Sequence, residues 1–100
     1  EIWPLNQAPD SAQPRAYDVV GPICESTDKF ATARALSGVE ADDLLAIMST
    51  GAYGAALSSQ YNARPLVPEV LVKDGNWRII RRRPTFEEMI ELETGPDWLT

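Results

Sequence analysis

The chain has 100 residues, with 15 acidic and 9 basic side chains for a formal charge of −6, 44% apolar residues and no histidine. That length suits one small domain with little stability to spare, because a chain of this size buries only about two thirds of the surface its unfolded form exposes. The acidic balance argues against a reader of nucleic-acid backbones. The missing histidine removes the commonest general base, the usual zinc ligand and every imidazole-based triad, so no metal site is expected.

A single cysteine, Cys24, cannot form an internal disulfide, and no stretch resembles a signal peptide or a membrane-spanning apolar run. These features suit a cytoplasmic protein with no membrane partner. The chain opens on the apolar Glu1-Ile-Trp-Pro-Leu5 without an initiating Met, and so reads as a fragment.

Residues 6–15, with two prolines among small and polar side chains, predict a loop. Tyr17-Asp-Val-Val20 predicts a short strand ended by Gly21-Pro22, which leaves Cys24-Glu-Ser26 beside a turn. Residues 27–43 fit a helix or a strand equally. Leu44–Met48 predicts a buried strand. Gly51-Ala-Tyr-Gly54 sets a tyrosine between two glycines, as expected where backbone bends sharply or passes close to a ligand.

The clearest local signal is a hairpin, Glu69–Lys73 and Trp77–Arg81 around Asp74-Gly-Asn76. Thr85 and Glu88 then predict a capping box opening a helix in which Phe86, Met89 and Ile90 share a face, with Gly95-Pro96 as its stop. The sum is a mostly β domain of barrel or sandwich type, five or six short strands plus a short C-terminal α-helix. An opening segment and polar linker occupy 1–15, the β domain 16–94 and a tail 95–100. So few strands close a barrel with difficulty, and an edge is expected to remain for pairing with another segment or subunit.

Cys24 is the first candidate for chemistry, since a thiol exposed in a loop can give or take a proton. The ordinary reading of a lone cysteine is a small buried hydrophobe, and that of Glu25 a solvated acid. Tyr53 is the second: its phenol could bond a phosphate or carboxylate, or simply pack its ring and wet its hydroxyl. Arg64 suits a salt bridge better than an anion clamp, and Arg81-Arg-Arg83 reads as a solvated strand end. Gly51 and Gly54 are too few for a dinucleotide or P-loop fingerprint.

Taken in order, Tyr17-Asp-Val-Val-Gly-Pro-Ile-Cys-Glu-Ser26, Asp42-Asp-Leu-Leu-Ala46, Gly51-Ala-Tyr-Gly54, Ser59-Gln-Tyr-Asn-Ala-Arg-Pro65, Pro68-Glu-Val-Leu-Val72 and Ile80-Arg-Arg-Arg83 closely resemble the C-terminal part of the diaminopimelate decarboxylase family. These are pyridoxal-phosphate enzymes of the alanine-racemase-like fold group. The resemblance implies conversion of meso-diaminopimelate to L-lysine and CO2, the last step of lysine biosynthesis. It also implies a homodimer whose sites form between the (β/α)₈ barrel of one subunit and the β domain of the other. Cys24 would be the proton donor, Glu25 would bind the distal amino group, and Tyr53 would contact cofactor phosphate and substrate. The pyridoxal phosphate itself would be held mainly by the barrel, which this chain lacks, so these residues alone are expected to be inactive. One departure is Thr27, where the family commonly has glycine. Two other readings stand beside this one: a same-fold decarboxylase for ornithine, arginine or carboxynorspermidine, and a non-catalytic β interaction module with a buried thiol.

Overall fold

The computed structural model describes residues 1–6 and 13–99. They divide into two compact units, Glu1–Ala56 and Leu57–Thr100. Strands dominate, as the sequence predicts. Among the described residues they form three separate two-stranded antiparallel sheets, and no closed barrel.

In the first unit, β1 (Ile2–Pro4) pairs with β4 (Leu45–Ile47), Ile2 opposite Ile47 and Pro4 opposite Leu45. The predicted strand at Leu44–Met48 is therefore shorter, and its side chains are half-buried rather than buried. β2 (Pro14–Val20) pairs with β3 (Lys29–Ser37). β2 starts before the predicted Tyr17, because Pro14 and Arg15 find partners in Ser37 and Leu36, and a first-position proline sacrifices no needed donor. The rest of the predicted loop, residues 7–12, lies outside the described residues.

The stretch that fits helix or strand equally is largely β3. Its register slips twice: Tyr17 faces Arg34, Val19 faces Ala31 and Val20 faces Lys29. Each slip is a bulge that places one extra residue on β3. At the first, Ala33 adopts a left-handed φ of 50°, and its N–H donates to Asp18 Oδ1 at 2.8 Å. The core of the unit is thin. Among the described residues, Ile2 on β1 (6% exposed) and Leu36 on β3 (5%) are its buried apolar side chains, and the Arg34 guanidinium, donating to the Ile2 carbonyl at 3.3 Å, adds a link between the same two strands.

In the second unit, β5 (Glu69–Lys73) and β6 (Asn76–Arg81) form the predicted hairpin, with Val72 opposite Trp77 and Val70 opposite Ile79. Asp74 and Gly75 both take left-handed backbone, φ 50° and 77°, as a two-residue turn matching the twist of its strands requires. Arg81 is not simply solvated: it meets Glu69 at 2.8 Å. Arg64, expected in a salt bridge, is exposed and makes none among the described residues. It follows a tight 3₁₀ turn, Tyr61–Ala63.

α2 (Phe86–Ile90) opens on the predicted capping box. Glu88 N–H donates to Thr85 Oγ1 at 3.2 Å and Thr85 N–H to Glu88 Oε2 at 2.8 Å. Glu88 also grips Arg82 with both oxygens, one at 2.7 Å. The Arg82 guanidinium first, and the Thr85 N–H second, pull the Glu88 carboxyl from 4.5 to about 2. The helix does not run to Gly95. Glu93 N–H closes a three-residue turn on the Ile90 carbonyl at 2.9 Å, because Glu91 and Glu93 set negative charge at a C-terminal end that favours cations and no glycine cap comes sooner. No helix among the described residues is long and apolar enough to cross a membrane.

Candidate active site

Cys24 and Glu25 sit in the eight-residue connection 21–28 between β2 and β3, which local hydrogen bonds hold together. Gly21 N–H donates to the Asp28 carbonyl at 2.9 Å, Asp28 N–H to the Glu25 carbonyl at 3.0 Å, and Lys29 N–H to the Thr27 carbonyl at 2.7 Å. The Asp28 carboxylate folds back into the loop and accepts the Ile23 N–H at 2.9 Å. That inward turn needs Gly21, since a Cβ there would overlap the Asp28 carboxylate. Conformational freedom at Gly21 is beside the point; the missing side chain is what matters.

On this frame Cys24 is exposed, unlike the buried hydrophobe that residue type alone suggests. Glu25 is exposed too, but its carboxylate is not loose: Oε2 accepts the Thr27 N–H at 3.0 Å and also the Thr27 hydroxyl. Oε1 receives no hydrogen bond from the described residues. The carboxylate thus keeps one oxygen for a cation while the other is anchored.

Tyr53 lies on another element, the first residue of α1 (Tyr53–Leu57). This short helix follows Gly51-Ala52 and is closed by Ala55 N–H donating to the Thr50 carbonyl at 3.1 Å. The ring is 80% exposed. Neither flanking glycine has a left-handed φ. A Cβ at Gly51 would meet nothing, whereas one at Gly54 would press on Thr50 Cβ at 3.0 Å. Gly54 is therefore required by close packing against Thr50, whereas Gly51 is free of any such contact. No hydrogen bond joins Tyr53 to Cys24 or Glu25 among the described residues, so the three side chains share a unit without forming one network.

An exposed phenol, an exposed thiol and a half-engaged carboxylate fit a phosphate-bearing cofactor and an amino-acid substrate approaching from outside the unit. A shallow groove of about 270 Å³, lined by Gln13, Arg15, Tyr17, Gly38, Val39 and Glu40, contains none of them and lies at the opposite end of the β2–β3 pair. Asp28 and Thr27, which shape the loop, escape a reading based on reactive side chains. The detectable signal is an acid and a hydroxyl residue closing a loop that opens on Gly-Pro.

Comparison with known proteins gives a consistent answer. The family model described as pyridoxal-dependent decarboxylase, C-terminal sheet domain, matches residues 1–51. Diaminopimelate decarboxylase of Zymomonas mobilis is 51% identical over 89 residues, 89% of this chain and 21% of that protein; the Escherichia coli K12 enzyme is 52% identical over 82 residues, 75% of this chain and 20% of that protein. A crystal structure of diaminopimelate decarboxylase from Helicobacter pylori complexed with L-lysine superposes with a TM-score of 0.81 at 38% identity, covering 93% of this chain and 22% of that one. The chain thus spans about a fifth of the length of the curated relatives it matches. Its matched residues include β1–β4 and the loop bearing Cys24 and Glu25, and the chain belongs to the pyridoxal-dependent decarboxylase family through the C-terminal sheet domain.

Proposed function

We propose that this chain is the C-terminal part of a cytoplasmic, homodimeric diaminopimelate decarboxylase, and that Cys24, Glu25 and Tyr53 complete a site whose remainder lies on a (β/α)₈ barrel. The observation that carries the reading is the presentation of Cys24 and Glu25 side by side on a hydrogen-bonded, solvent-facing loop, in a chain about half identical to named diaminopimelate decarboxylases.

Pyridoxal phosphate, when bound, supplies the electron sink that permits loss of CO2 from an amino acid. The Tyr53 hydroxyl would contact both the cofactor phosphate and the substrate. After CO2 departs, the Cys24 thiol delivers a proton to Cα, which takes the place of the lost carboxylate, and solvent returns a proton to the thiolate. Glu25 pairs with the ammonium at the far end of the substrate. A substrate lacking that group would leave a desolvated carboxylate unpaired, which gives selectivity for a two-ended amino acid. Relatives acting on ornithine or arginine form the nearest alternative, and the names of the matched proteins favour diaminopimelate. A stand-alone interaction module with a buried thiol is disfavoured by the exposure of Cys24.

The test is Cys24→Ala in the full-length enzyme. Turnover of diaminopimelate should fall roughly 10²- to 10⁴-fold, the range associated with a positioned acid, while the absorbance of bound cofactor persists. In the same assay the 100-residue chain alone, given pyridoxal phosphate, should release no CO2. Near-normal kcat in the variant removes the proton-donor role.

A further inference from the structure

The neighbour that fixes Glu25 is Thr27. Its N–H and its hydroxyl both donate to Oε2, while its own carbonyl is held by Lys29 N–H at the start of β3. A glutamate on an exposed loop otherwise samples several rotamers, and holding it in one conformation has an entropic cost that binding must offset. Thr27 removes much of that cost in advance and leaves Oε1 bare. A glycine at this position would keep the N–H contact and lose the hydroxyl.

We propose that Thr27 is a positioning residue for substrate recognition: it locks the Glu25 carboxylate through Oε2 so that Oε1 meets the distal ammonium of a diamino-acid substrate. This rests on the role given to Glu25 above. The side-chain bond of Thr27 runs to Glu25, so its influence falls on binding.

The experiment is steady-state kinetics of the full-length enzyme with meso-diaminopimelate, comparing Thr27→Val, Thr27→Ser and Thr27→Gly, and Thr27→Val combined with Glu25→Gln. Removing one charge-assisted hydrogen bond at an exposed site should raise KM about 5-fold in Thr27→Val, with a smaller change in kcat. Serine should restore KM, and glycine should behave like valine, which keeps the test open if valine disturbs folding. In the Glu25→Gln background the valine substitution should add little, since its effect runs through the lost carboxylate. If Glu25→Gln raises KM and the Thr27 variants do not, Thr27 has no such role although the reading of Glu25 survives. If Glu25→Gln itself leaves KM unchanged, both fall together. Equal KM penalties from Thr27→Val with and without the Glu25 carboxylate would assign Thr27 to loop structure alone and overturn the proposal.

Discussion

The loop 21–28 and the hairpin 69–81 are both β-hairpin connections with their strands, yet they hold their shape by opposite means. The loop is long and irregular, and short polar links fix it: Asp28 to Ile23, Thr27 to Glu25, Gly21 to Asp28. The hairpin has a two-residue turn that dictates its register, but every residue from Val70 to Ile80 is exposed. Val70, Val72, Trp77 and Ile79 share one face by alternation and pairing, and the second unit contributes no buried apolar side chain among the described residues. Two strands alone are marginal in water. Polar links let a short segment specify its own geometry, whereas an apolar face has geometry but not yet the burial that stabilises it.

The sharpest way to break this comparison is Gly21→Ala. A new Cβ forces the Asp28 carboxylate out of the loop and frees the Ile23 N–H. The expected result in the full-length enzyme is a loss of about 1–3 kcal/mol in stability, measured by denaturant midpoint, together with a fall in kcat/KM of roughly 10-fold from the displaced Cys24 and Glu25. Wild-type kinetics would mean the loop does not depend on its polar links.

Gly75→Ala probes the other side. At a φ of 77° alanine costs about 1 kcal/mol, and the hairpin carries none of the proposed site residues, so kcat/KM should not change. A kinetic defect would show that hairpin and site are coupled.

The smallest effect concerns Glu88. Its carboxyl is held down at about 2 from 4.5, by Arg82 first and by Thr85 N–H second. A carboxyl lowered on folding favours the folded form at neutral pH, and that contribution shrinks as pH falls from about 4.5 towards 2. The group is solvent-exposed, so screening keeps the effect small. Glu88→Gln should flatten the acid limb of stability in that window and leave pH 7 kinetics alone. An unchanged acid limb would mean that the Arg82 grip does not persist in solution.

These contrasts also explain what the sequence revealed. The Asp74-Gly75 turn and the Thr85–Glu88 box were legible because each motif fixes its geometry within four residues. β3 was not, because the extra residues opposite Asp18 and near Phe30 break the alternation on which a strand is recognised. The short α2 was overextended because Gly95 is an obvious stop, while the repulsion of Glu91 and Glu93 from the helix end is a weaker signal. In the candidate site, Cys24 and Tyr53 stood out as reactive groups beside turn glycines, and the family resemblance added the role of Glu25. Thr27 and Asp28 carry no reactive chemistry, and their part emerges only from the direction in which their oxygens point.

The two slips along β3 have a consequence for how the chain tolerates change. Each extra residue is absorbed locally against one residue of β2, so β2 keeps its seven residues in unbroken succession while β3 uses nine over the same length. Length variation near Ala33 should therefore be tolerated in the strand that carries it: removing one or both extra residues would straighten β3 against an unchanged β2 and leave the Cys24 loop at the same end of the pair.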